Sequence, residues 1–197
     1  MKLSLAGVVC ALVFSLAGCP CLFGRVQIQD AALESVIRSQ LNIPFGCISE
    51  RDLLKITELH ATDLNIRRLD GMEHMRNLTT LNLKNNVIQS ITPLTNLTNL
   101  RFLDLGFNEI SNLEPLAGLF LLDELYLDGN EIFNLSPLVT NSVNGGLGAG
   151  DTVVLPSTLR DSDDQIKDNF LEDIKSLEDK GVDVVVEQAG SGTSDTE

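Results

Sequence analysis

LTTLNLKNNVIQSITPLTNLTN (78–99), LRFLDLGFNEISNLEPLAGLFL (100–121) and LDELYLDGNEIFNLSPLVTNSV (122–143) follow one another without a break, and their first residues, Leu78, Leu100 and Leu122, are 22 residues apart. The first unit has apolar residues at Leu81, Leu83, Ile88, Ile91, Leu94 and Leu97. The second repeats them at Leu103, Leu105, Ile110, Leu113, Leu116 and Leu119, and the third at Leu125, Leu127, Ile132, Leu135 and Leu138. Asn86, Asn108 and Asn130 share one offset, and Pro93, Pro115 and Pro137 share another. A fixed period of this length marks a stacked repeat in which no unit folds alone.

The offsets carry a physical reading. Leu81-x-Leu83 alternates faces as a short strand does, with its apolar side inward. One such strand cannot bury its face, so the copies stack into a parallel sheet. The three asparagines fall where the chain leaves the strand and turns inward, and their amides are suited to a ladder of bonds to turn backbone. A buried polar group without a partner costs about 1–3 kcal/mol, which explains why an amide and not an aliphatic chain belongs there. The prolines open the return segment, where a missing N–H does little harm.

This pattern, L-x-x-L-x-L-x-x-N-x-I-x-x-[IL]-x-P-L-x-x-L, resembles the leucine-rich repeat in its bacterial, internalin-like form. A preceding unit, Ile56–Asn77, fits loosely through Leu59, Ala61, Ile66, Leu69, Met72 and Met75, with Leu64 in place of the asparagine and Gly71 in place of the proline. The resemblance implies an α/β fold: a short solenoid with a parallel sheet on its concave face, a helical N-terminal cap and an α/β C-terminal cap. Repeats are expected at 56–77, 78–99, 100–121 and 122–143, the N-terminal cap at 25–55 and the C-terminal cap at 144–187. Asp30 is placed to cap a helix carrying Leu33, Val36, Ile37 and Leu41. Ser49 with Asp52 makes a capping-box variant for a second. Beyond the repeats, 139–150 reads as a loop rich in Gly and Asn, Val153 and Leu155 as a strand, and Ser162 with Gln165 as the start of a helix carrying Ile166, Phe170, Ile174 and Leu177. Gly181 ends that helix, Val182, Val184 and Val186 suggest a last strand, and 188–197 has the composition of a disordered tail.

Residues 1–18 read as an export signal: Lys2, an apolar run from Leu3 to Leu16, then Leu16-Ala17-Gly18-Cys19. That ending resembles a lipobox. It implies cleavage after Gly18, lipidation of Cys19, a short tether over 19–24, and attachment to membrane through acyl chains. Pro20, not Asp, follows the cysteine, which leans towards an outer-membrane place in the cell envelope. Cys21 and Cys47 remain, and a disulfide between them is allowed in an oxidising compartment but not decided by spacing.

The chain has 28 acidic and 14 basic residues, a net charge of -14. Such a surface repels nucleic acid, so nucleic-acid binding is excluded. Glycines at 145, 146, 148 and 150 do not form a phosphate-binding motif. Asp161, Asp163 and Asp164 lack calcium-loop spacing and suit the start of a helix. His60 and His74 show no zinc or acid–base arrangement. No cofactor, metal or catalytic residue is expected. The resemblance places the strands' outward residues on a concave face: Glu58, His60 and Thr62; Thr80, Asn82 and Lys84; Phe102, Asp104 and Gly106; Glu124, Tyr126 and Asp128, with Phe107 close by. Phe102 and Tyr126 are suited to anchor a protein interface, with Asp104, Glu124 and Asp128 supplying charge complementarity. Two functions follow. One is a monomeric, lipid-anchored interaction module whose concave face binds a protein. The other is a structural envelope lipoprotein with no specific partner on that face.

Overall fold

The structure, a computed structural model, describes residues 24–188. The export signal, Cys19, Cys21 and residues 189–197 of the expected tail lie outside the described residues.

Six short strands form one parallel sheet in chain order: β3 (Glu58–His60), β4 (Thr80–Asn82), β5 (Phe102–Asp104), β6 (Glu124–Tyr126), β7 (Thr152–Leu155) and β8 (Asp183–Val186). A separate antiparallel pair, β1 (Arg25–Val26) and β2 (Ile48–Ser49), belongs to the N-terminal cap. The register places Leu59, Leu81, Leu103, Leu125, Val153 and Val184 side by side. The first five are fully buried. Each of the first three repeats returns through a single 3₁₀ turn, Met72–His74, Thr92–Leu94 or Glu114–Leu116, and the second and third of these hold the recurring proline.

The asparagines form the expected ladder. Asn108 donates to Leu83 O and Leu105 O, at 3.0 and 2.9 Å, and accepts from Ile88 N at 3.1 Å. Asn130 repeats this one unit on, with Leu105 O, Leu127 O and Ile110 N. Asn86 donates to Ala61 O and Leu83 O and accepts from both Leu64 N and Ile66 N. It thereby serves the backbone of the unit that lacks its own asparagine. Leu64 itself is exposed. Gly71, standing where proline recurs, has φ +99°, and a Cβ there would lie 2.5 Å from Ile28 Cδ1. The cap chain crosses the first repeat at a place open only to glycine.

In the N-terminal cap, α1 (Ala31–Leu41) starts at Asp30, whose Oδ1 accepts from Ala32 N and Leu33 N at 3.0 and 3.2 Å. The other oxygen accepts from Arg67 N at 2.9 Å, tying the cap to the first repeat. At α2 (Glu50–Leu53), Asp52 Oδ2 accepts from Ser49 N and Ser49 Oγ. Gln40 Nε2 donates to Glu58 O on the outer edge of β3, blunting an otherwise open strand edge.

Two expectations about the C-terminal cap need correction. The stretch 139–150 is not all loop, because the return segment of the fourth repeat is a helix, α3 (Ser136–Val143). Asn141 stabilises it from within: fully buried, it donates to Leu116 O and Leu119 O and accepts from Leu147 N. The second correction concerns Ser162 and Gln165, which do not start a helix. Asp161 Oδ1 accepts from Asp163 N and Gln165 N, Asp164 has φ +59°, and Arg160 pairs with Ile166 in a β-bridge. The Asp161 carboxylate organises a loop where a serine hydroxyl was expected to organise a helix. The helix, α4 (Asp168–Glu178), starts later. It buries Phe170, Ile174 and Leu177, and Ile166 packs on the core from outside it.

Candidate functional site

Because side chains alternate across a strand, the register that buries the leucines aligns their neighbours on the solvent face. One row reads Glu58, Thr80, Phe102, Glu124, Thr152, Asp183, and the next His60, Asn82, Asp104, Tyr126, Val154, Val185. β7 and β8 therefore extend the face beyond the four repeats. Val154 and Val185 were not singled out from the sequence, where these strands read only as closure of the stack.

The residues expected to bind cluster unevenly. The rings of Phe102 and Tyr126 meet at 5.6 Å between centroids and 42° between planes, an arrangement favoured for aromatic pairs. Tyr126 OH donates to Glu124 Oε2 at 3.0 Å. Burial and that carboxylate together push the Tyr126 phenol up. Lys84 Nζ lies 5.2 Å from the centre of the Phe107 ring and 3.9 Å from Asp128 Oδ2. Asp104 accepts from Gly106 N at 2.9 Å, and Asn82 treats Lys84 N in the same way at 3.0 Å. Burial pushes the Asp104 carboxyl up, and nearby Asp128 adds to this. His60 stands apart, two strands from Asp104 with Asn82 between them.

Phe107 is the least expected feature. Its φ is +53°. The equivalent positions of the other repeats are also left-handed, at Asp63, Asn85 and Gly129. Those residue types tolerate the conformation, whereas a bulky aromatic pays a strain cost of order 1–3 kcal/mol. The ring is 44% exposed. It lies against Gly129, where a Cβ would sit 2.6 Å from Phe107 Cδ1. The alignment of Asp63, Asn85, Phe107 and Gly129 was available in the sequence, and Phe107 is the anomaly in that column.

Clefts of 490 and 580 Å³ lie elsewhere, one lined by Arg67, Arg68, Ser90 and Pro93, the other by Ser35, Arg38 and Asn42. The sheet face is instead an open surface, suited to a macromolecule more than to an enclosed small ligand. Among the described residues, no helix is long and apolar enough to cross a membrane, and no group of His, Cys, Asp or Glu is placed to hold a metal ion. Cys47 is disulfide-bonded.

A family model described as "Leucine Rich repeats (2 copies)" matches residues 76–118. Among solved structures, an internalin (inlF) from Listeria monocytogenes str. 4b F2365 is similar at 26% identity and a TM-score of 0.59, over 81% of this chain and 57% of that one. An internalin C2 (inlC2) from the same strain is similar at 21% identity and a TM-score of 0.39, over 82% of this chain and 87% of that one. This chain thus spans little more than half the length of the first of these proteins. The matched repeats and the stack of six parallel strands show a leucine-rich-repeat solenoid fold similar to that of the internalin (inlF).

Proposed function

We propose that this chain is a lipid-anchored protein of the bacterial cell envelope that binds a protein partner on the solvent face of its sheet. The observation that carries the binding reading is Phe107, an exposed aromatic held in a left-handed backbone conformation on the same repeat as Phe102, whose ring packs on Tyr126. Strain of this kind persists where surrounding structure enforces it, and it clusters at binding sites. Aromatic anchors ringed by charge are also the usual centre of a protein interface. The fold itself serves many partners, so the site and not the architecture supports this reading.

The anchoring reading rests on Leu16-Ala17-Gly18-Cys19, with Cys19 as the lipidated residue. Acyl chains add about 0.8 kcal/mol per buried CH₂, enough with two or more chains to hold a monomer on a membrane. Cys21 is proposed as the partner of Cys47, which would pin the tether to the N-terminal cap.

Crosslinking in native cells, followed by mass spectrometry, tests the binding face. The wild type is expected to capture a protein that the Phe102→Ser, Tyr126→Ser variant loses while its circular dichroism is unchanged. Identical capture by both would remove the face as the site and favour a structural envelope role. Fractionation of a Cys19→Ala variant tests the anchor, and unchanged membrane retention would refute it.

A further inference from the structure

Three successive repeats contribute to one small arrangement at the C-terminal end of the strands. Lys84 reaches over Gly106 to Asp128, two repeats away. Gly106 is needed for space and not for backbone freedom, since a Cβ there would lie 2.6 Å from Asp128 Oδ1 and 3.0 Å from Oδ2. The Asp128 carboxylate fills that gap. Phe107 offers its ring to the same ammonium group.

Asp128 is only 5% exposed, yet among the described residues its carboxylate accepts no hydrogen bond. Lys84 Nζ, at 3.9 Å, is beyond hydrogen-bond reach. Asp104 lies on the neighbouring strand, and Glu187 follows β8. Burial and the charge of Asp128 push the carboxyls of both upward, and Lys84 opposes this in both. Three carboxylates thus share one ammonium. Glu58, Glu124 and Asp183 add further negative charge along the face, on which Lys84 is the one Lys or Arg. A buried carboxylate short of partners favours a ligand that supplies donors and positive charge together. The aromatic surfaces of Phe107, Tyr126 and Phe102 suit a planar guanidinium.

We propose that this arrangement of Asp128, Asp104 and Phe107 receives an arginine side chain of the partner, with Lys84 as the resident cation that the arginine displaces. The inference rests on the sheet face being the binding surface, and it names the partner's chemistry there as basic.

The probe is N-acetyl-arginine amide, titrated into the ¹⁵N-labelled full chain and followed by NMR, beside its neutral citrulline analogue. Shifts are expected at Phe107, Tyr126 and Asp128, and citrulline should produce none. Lys84→Met should tighten binding by roughly threefold or more by freeing Asp128, and the isosteric Asp128→Asn should abolish the shifts. Lys175→Met, which removes the same charge from α4, should change nothing. Shifts spread over the acidic surface, equal response to citrulline, or equal gains from Lys84→Met and Lys175→Met would overturn the proposal. The crosslinking experiment separates the two readings. A partner kept by Asp128→Asn but lost by Phe102→Ser, Tyr126→Ser leaves the binding face standing and removes the arginine. If the aromatic variant loses nothing, the face is not the partner's site and the arginine proposal falls with it.

Discussion

The N-terminal cap and the sheet face both place carboxylates among packed residues, and they treat them in opposite ways. Asp30 accepts from three backbone N–H groups, at Ala32, Leu33 and Arg67. These hold its carboxyl below the usual range although burial pulls the other way. Asp52 is bonded by Lys55 and Ser49, which bring its carboxyl down to about 2. On the sheet face Asp104 has one backbone donor, and Asp128 has only the distant Lys84. A carboxylate surrounded by donors is structural: it starts a helix and joins the cap to the solenoid. A carboxylate buried with few donors costs stability, and local conflicts of this kind gather at functional or strained sites, which is why the binding proposal centres on this one.

Three measurements would break or sharpen this contrast. The largest effect is expected from the aspartates themselves. Asp30→Ala should destabilise the protein by about 1–2 kcal/mol, since it removes a helix cap and leaves Arg67 N without its acceptor. Asp128→Asn should cost less than about 0.5 kcal/mol, because it removes an under-satisfied charge and keeps the shape. Denaturant titration of both variants checks this, and equal losses would erase the distinction between the two regions.

A smaller effect of opposite sign is expected at Phe107. Phe107→Asn places at this left-handed position a residue that tolerates it, as Asn85 does one repeat earlier. Stability should rise by about 1 kcal/mol, while partner capture falls. A destabilised Phe107→Asn protein would show that the ring is held for packing and not for recognition.

The smallest effect is the response to acid, where the two regions should pull apart. The lowered Asp30 and Asp52 contribute stability that is present above their ordinary range near 3.8 and is lost as pH falls, for Asp52 through about 2. The raised Asp104 and Glu187 do the reverse. Their folded forms take up protons before the unfolded chain does, so the penalty they impose at neutral pH is relieved as pH falls through their raised values. Denaturation midpoints taken from pH 7 downward should therefore hold or rise first and fall only below about pH 4. In Asp104→Asn the early rise should shrink. A steady fall from pH 7 in both proteins would show that the sheet-face carboxylates are not penalised.

The fold was legible in the sequence wherever burial imposes the same demand on every repeat. Each inward position must be apolar or must satisfy backbone groups, so Leu81, Leu103 and Leu125 recur, as do Asn86, Asn108 and Asn130. Asn141 was equally open to this reading, since it takes the inward place held by Leu97 and Leu119 and bonds like a buried amide. The C-terminal cap was harder because no period governs it. There a choice between two local organisers, Asp161 and Ser162, depended on which bonds the loop could complete.

The sequence by itself determined the period, the inward residues and the family of folds, because stacked units must bury equivalent faces. Only the tertiary structure decided what the outward residues do together. Nothing requires them to repeat, and their chemistry arises once distant repeats become neighbours. The sequence places Lys84, Gly106 and Asp128 on one face, each in a different repeat, without showing that they meet. Stacking brings them together, glycine leaves the space, and Asp128 is left 5% exposed with Lys84 3.9 Å away as its nearest cation.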